Sequence, residues 1–157
     1  MTMTSKEKAI IAETAVAADL TKRGHHVALP LGDCDAYDLL FRRVGPWPNH
    51  WDVKKPPATC DAFHMERVQV KYTKSDGKVI QIKARSHSTA NSEPITRLYG
   101  PAVAEWVAVY DVTTNQCYYI PTQELVGLST GVIYLRLTLA RNGQDKGVRW
   151  ARDYLAI

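Results

Sequence analysis

Arg67-Val-Gln-Val-Lys-Tyr-Thr73, then Lys74-Ser-Asp-Gly77, then Lys78-Val-Ile-Gln-Ile-Lys-Ala-Arg85 is the stretch on which the fold turns. Both outer runs alternate apolar and polar residues, the period of a half-buried strand. Asp76-Gly77 between them supplies the positive φ angles of a tight turn, so the spacing predicts a β-hairpin. Within the first run Val68 and Val70 point to one face, and Gln69 and Lys71 to the other.

Outward from this pair, Tyr37 to Arg42 reads as a strand with Tyr37, Leu39 and Phe41 on one face. His26 to Leu29 is a shorter strand that Pro30 and Gly32 end. Residues 5 to 23 carry helical spacing, with Thr4 and Glu7 placed as a capping box and Gly24 as a stop. Residues 43 to 65 hold Pro46, Pro48, Pro56, Pro57, Trp47 and Trp51 with almost no periodicity, which predicts an irregular arm. Downstream, residues 86 to 97 look polar and turn-rich. Glu105 to Val112 and Cys117 to Pro121 predict a hairpin, Pro121 to Val126 a helical turn, Val132 to Leu139 a strand, and Val148 to Leu155 a terminal helix. Helix, mostly antiparallel strands, helix is the order of an α+β or mixed α/β single domain over 1–157.

The 157 residues suffice for one domain with its own core, and 45% hydrophobic against 23% charged residues excludes wholesale disorder. No apolar run approaches the roughly 18 residues of a membrane span. The first residues lack the shape of a signal peptide, and Cys34, Cys60 and Cys117 are odd in number and far apart, against a secreted disulfide framework. A cytoplasmic protein with no membrane partner is expected. Net charge is +4, concentrated in residues 66 to 85 (six basic, two acidic) and 127 to 157 (five basic, two acidic). A basic face is the footprint of a polyanion partner, although a solvated basic surface has the same composition.

Three positions break the patterns around them. Glu13 lies on the helix face that carries Ala9, Val16, Ala17 and Leu20, where a bare carboxylate costs several kcal/mol. Asp38 sits in an otherwise apolar strand, although Asp is a poor strand former. Gln69 and Lys71 share a strand face. If the two strands are neighbours, a carboxylate, an amide oxygen and an ammonium converge, a set suited to phosphodiester hydrolysis. Asp38, Gln69 and the carbonyl of Val70 offer oxygen ligands to a hard cation such as Mg²⁺, with Mn²⁺ as a substitute. Lys71 is placed to orient a water or stabilise the phosphate, and Glu13 to hold a metal-bound water. The alternative without chemistry is a Lys71–Asp38 salt bridge with Glu13 paired to an arginine.

Glu13-Thr-Ala-Val-Ala-Ala-Asp-Leu20, Gly24, Pro30-Leu-Gly-Asp33, Tyr37-Asp-Leu39 and Val68-Gln-Val-Lys71, in that order, resemble the PD-(D/E)-x-K nuclease superfamily. The branch is one resembling a bacterial group I intron homing endonuclease, with Gln in place of the acidic residue before x-Lys. Cys117-Tyr-Tyr-Ile-Pro121, Leu135-Arg-Leu137, Asn142-Gly-Gln144 and Trp150-Ala-Arg-Asp-Tyr154 extend the likeness. It implies a restriction-endonuclease-like core, a mixed β-sheet flanked by helices. By the resemblance Asp38 is the metal-binding Asp, Gln69 the variant second ligand, Lys71 the catalytic Lys and Glu13 the helix acid. The 31 positions from Asp38 to Gln69 leave room for the arm to shift either residue, which makes Asp52 and Asp61 reserve candidates.

The implied activity is metal-dependent DNA cleavage, of a homing or a junction-resolving kind, by a homodimer or homotetramer. Arg67, Lys74, Lys78, Lys83 and Arg85 are the expected DNA contacts. A catalytically silent DNA-binding or assembly module on the same fold is the competing reading. Cys60 and His64, with Cys34, are weighed as a zinc site, but no second close pair accompanies them. Trp47 and Trp51 either stack on bases or pack on the domain. Asp33 suits a turn better than a metal.

Overall fold

A computed structural model describes residues 3–32, 36–43, 64–90, 93–139 and 146–157, with side chains of 86–98 excepted. Helix α1 (Ser5–Lys22) opens with the capping box: the Glu7 N–H donates to Thr4 Oγ1 and the Thr4 N–H to the Glu7 carboxylate. Its inward stripe is Ala12, Val16 and Leu20, four apart and fully buried. Glu13 is half-buried beside that stripe and Ala9 is exposed, so the expected stripe is displaced by one position.

Five strands form the main sheet: β1 (His26–Ala28), β2 (Leu39–Arg42), β3 (Glu66–Thr73) and, further along the chain, Trp106–Asp111 and Gln116–Pro121. Between them lie β4 (Val79–Lys83), β5 (Arg85–Ala90) and β6 (Glu93–Leu98), so the last two sheet strands are β7 and β8. The order is β1-β2-β3-β7-β8, with β3 and β7 parallel at the centre and every other pair antiparallel. That is the mixed sheet expected.

Alternation sorts the core into two halves. Val68, Val70, Leu39, Phe41, Ala108 and Tyr119 pack under α1. Val107, Val109, Tyr118 and Ile120 face the other way, against Ile80 and Ile82 of β4 and Ile133 and Leu135 of β9 (Val132–Arg136). The second face is therefore covered by an antiparallel β4–β9 ribbon and the 3₁₀ turn Ala151–Tyr154, where a longer helix was expected. Thr122–Leu125 supplies the expected single turn.

The predicted hairpin between β3 and β4 does not form. Both sides of β3 are taken, by β2 and β7, and β4 pairs with β9 instead. Asp76-Gly77 still turns the chain: Asp76 Oδ1 accepts the N–H groups of Lys78 and Val79, and Gly77 has φ +81. The turn leads out of the sheet because Ser75 is drawn to Asp111, which accepts its N–H and hydroxyl, both at 2.8 Å. Residues 86 to 97, read as turns, belong largely to a β5–β6 pair. The 43–65 arm falls mainly outside the described residues, as do Asp33, Cys34, Trp47, Trp51, Asp52, Cys60 and Asp61.

Asp111 is fully buried. Burial pushes its carboxyl up, but the donors of Ser75, Thr114 and Thr113 outweigh this and hold it below its ordinary value. Its stabilising contribution is thus present above the unfolded-state pKa of about 4 and fades as pH falls through the lower folded value. Asp111→Ala is expected to cost about 3 kcal/mol at pH 7 by leaving buried donors unpaired. Urea denaturation at pH 7 and pH 3 checks this: the gap between wild type and variant is expected to narrow in acid.

Candidate active site

Asp38 stands at the bend just before β2, and its N–H donates to the Val68 carbonyl at 2.9 Å. β2 pairs with β3 only as far as Val68, so the β2 side of Val70 lies beyond the last partner. The Asp38 carboxylate fills that place: Oδ2 accepts the Val70 N–H at 2.6 Å and the Gln69 side-chain amide. A strand residue sends its N–H and C=O to the same neighbour, so the Val70 carbonyl is aimed to the same side. Asp38, Gln69 and Val70 are therefore together, as the sequence predicts.

Burial pushes the Asp38 carboxyl above its ordinary value, against the Val70 N–H, the positive charge of Lys71 and the Gln69 amide. A carboxylate short of positive charge in a half-buried place favours a proton or a cation. Lys71 does not supply it by direct contact. Among the described residues no ion pair joins Lys71 to Asp38, and the ammonium lies instead 4.9 Å from the centroid of the Tyr99 ring.

The donor set fits a hard cation in kind: one carboxylate, one amide oxygen and one backbone carbonyl are all oxygen ligands. Gln69 presents its Nε2 to Asp38 here, so ligation requires the amide to turn over, a rotation that exchanges O for N in the same space. The set carries little negative charge. Among the described residues no group of three His, Cys, Asp or Glu side chains is placed to hold a metal. Glu13 belongs to α1, which covers the Val68–Val70 face, whereas Gln69 and Lys71 share the face of Val107 and Val109.

Lys71 opens into a cleft of about 640 Å³ between the sheet and the ribbon. Lys74, Lys83 and Arg85 line it together with Gln81 and Tyr134, and Asp76 is the one acid among the described residues on its wall. Arg85 Nε is buried with no hydrogen-bond partner among the described residues. Lys78 is exposed and lies off this lining. Arg67, also among the expected DNA contacts, is engaged within the fold. Its guanidinium meets Glu105 at 2.5 Å and the carbonyls of Ala102 and Pro101 at 3.0 and 3.1 Å, so it ties β3 to the turn before β7. Tyr99 and Asp111 were missed by sequence reasoning, because an isolated Tyr and a strand-end Asp carry no signal of distant partners.

A mixed sheet with one helix across its first face, and an Asp–Gln–Lys group at the end of β2, define a restriction-endonuclease-like domain. The PD-(D/E)XK endonuclease family matches residues 3–46 and 61–157, and the chain belongs to that family. Among solved structures it is similar to a bacterial homing endonuclease, I-Ssp6803I, with TM-score 0.66 and 22% identity over 97% of this chain and 88% of that one. No curated protein matches the chain. No helix among the described residues is long and apolar enough to cross a membrane.

Proposed function

We propose that the chain is a metal-dependent DNA endonuclease whose reacting centre is Asp38, Gln69, the Val70 carbonyl and Lys71. The observation that carries this reading is a half-buried carboxylate that accepts the Val70 N–H and the Gln69 amide and feels the charge of Lys71, which itself lines a cleft walled by Lys74, Lys83 and Arg85. Asp38, Gln69 and Val70 would hold Mg²⁺, with Mn²⁺ as a substitute. Bound there, a divalent cation polarises a phosphate and lowers the pKa of its water. Lys71 places a positive charge where the phosphate gains negative charge. Lys74, Lys83 and Arg85 hold the backbone in register through their positive charge. Glu13 would take part only from the helix side, across the sheet from Gln69 and Lys71. One domain carries one such centre, so cutting both strands needs a homodimer, a homotetramer or two successive nicks. The 1–157 chain then works as one catalytic unit, with the 43–65 arm an accessory to it.

Cleavage of linear, supercoiled and four-way-junction DNA with and without Mg²⁺ tests the reading, and inertness on all three would refute it. A catalytically silent DNA-binding module has one observation in its favour, the single carboxylate that the described residues place at the site. Such a module would bind no divalent cation through Asp38.

The cleft also predicts the salt dependence. Replacing Lys74, Lys83 and Arg85 with Ala is expected to flatten the slope of log affinity against log salt by up to about three. Lys78→Ala and Arg67→Ala are expected to leave it nearly unchanged. A wild-type slope in the triple variant would place the DNA elsewhere.

A further inference from the structure

Lys71 has a neighbour to which the reaction above gives no role. Tyr99 follows β6, its N–H donates to the Ala84 carbonyl at 3.0 Å, and its ring is buried in the core with Ile80 and Ile82. The Lys71 ammonium stands 4.9 Å from the centroid of that ring, within the range where the negative face of an aromatic attracts a cation. On the cleft side the wall carries Lys74, Lys83 and Arg85, all of like charge, with Asp76 as the acid among the described lining residues. An ammonium on a four-carbon stem has many positions open to it in a cleft of this size, and holding one of them costs side-chain entropy. A ring fixed in the core removes that choice before substrate arrives.

We propose that Tyr99 is the positioning residue for Lys71, the face of its ring holding the ammonium at one place on the cleft wall, ready for the phosphate to be cut. The inference rests on the nuclease reading for its catalytic half, while the ring–ammonium pair stands on geometry alone. The pairing uses the ring face, which phenylalanine keeps.

Three variants separate the cases. In the wild type, NMR of the Lys71 ε-protons, assigned by their loss in Lys71→Arg, is expected to show an upfield ring-current shift. Tyr99→Phe keeps that shift and cuts DNA within about twofold of wild type. Tyr99→Leu loses the shift, and cleavage falls about tenfold with DNA affinity unchanged. Should Tyr99→Leu unfold, fluorinated phenylalanines at position 99 keep the volume while draining the ring face of negative potential. Cleavage is then expected to fall stepwise with each added fluorine. Unshifted ε-protons in an active wild type overturn the proposal, as does a Tyr99→Leu variant or a fluorinated series that cuts at the wild-type rate. A wild type that cuts no DNA but keeps the ring-current shift refutes the nuclease reading and leaves the pair standing.

Discussion

Lys71→Ala is expected to abolish cleavage, by about a thousandfold or more, while DNA affinity stays within about threefold of wild type. The two effects separate because of where the ammonium lies. Lys74, Lys83 and Arg85 line the same cleft and dominate attraction to the phosphate backbone, so the loss of one cation among four changes binding little. None of those three is the next-but-one residue to Gln69 on the strand face that meets Asp38, so none can stand in where charge develops in the transition state. Lys71→Arg tests the placement further. A guanidinium retains charge but not the compact geometry over the Tyr99 ring, and only partial activity is expected. Wild-type rates in Lys71→Ala would remove the residue from the mechanism.

Metal affinity supplies the second large effect. In the proposed site Gln69 would offer an oxygen without charge, and Asp38 is the one carboxylate hydrogen-bonded to it among the described residues. The free protein is expected to hold Mg²⁺ loosely, with substrate phosphate completing the coordination shell. Gln69→Glu adds the missing charge and is expected to tighten metal binding about tenfold or more. Gln69→Ala removes a ligand and is expected to lose activity. Asp38→Asn is expected to be the most damaging of the three, because it removes the carboxylate that the Val70 N–H and the Lys71 charge face. The ordering follows from counting anionic oxygens, and calorimetry on the three variants measures it.

How legible this was depends on the range of each interaction. The faces of β3 could be read from Val68-Gln69-Val70-Lys71, because alternation is local and the core on the Val68 side is continuous with α1. The α1 cap and the β7–β8 hairpin likewise followed from short-range pattern, whereas the grouping of Asp38 with Gln69 was conditional on their strands being neighbours, which the β2–β3 pairing supplies. What failed was the choice of partner. Ser75-Asp76-Gly77 has the chemistry of a hairpin turn, yet β3 was already paired on both sides, and a strand some fifty positions downstream took β4. Residues 86 to 97 lack apolar alternation and so concealed two strands. Arg67 looked like the other basic residues of its run, and only Glu105 and two carbonyls reveal that it serves the fold. Glu13 was placed one position off because Ala9 and Ala12 are alike to a helical pattern, whereas only Ala12 is buried.

The central claim is that Asp38 anchors a divalent cation on which DNA cleavage depends. Its most direct measurement is the DNA cleavage rate as a function of Mg²⁺ concentration, for the wild type and for Asp38→Asn side by side. The wild-type rate is expected to rise from nothing to saturation as Mg²⁺ is added, and Asp38→Asn to stay flat through the same range. Saturable, Mg²⁺-dependent cutting by Asp38→Asn at the wild-type rate would contradict the account.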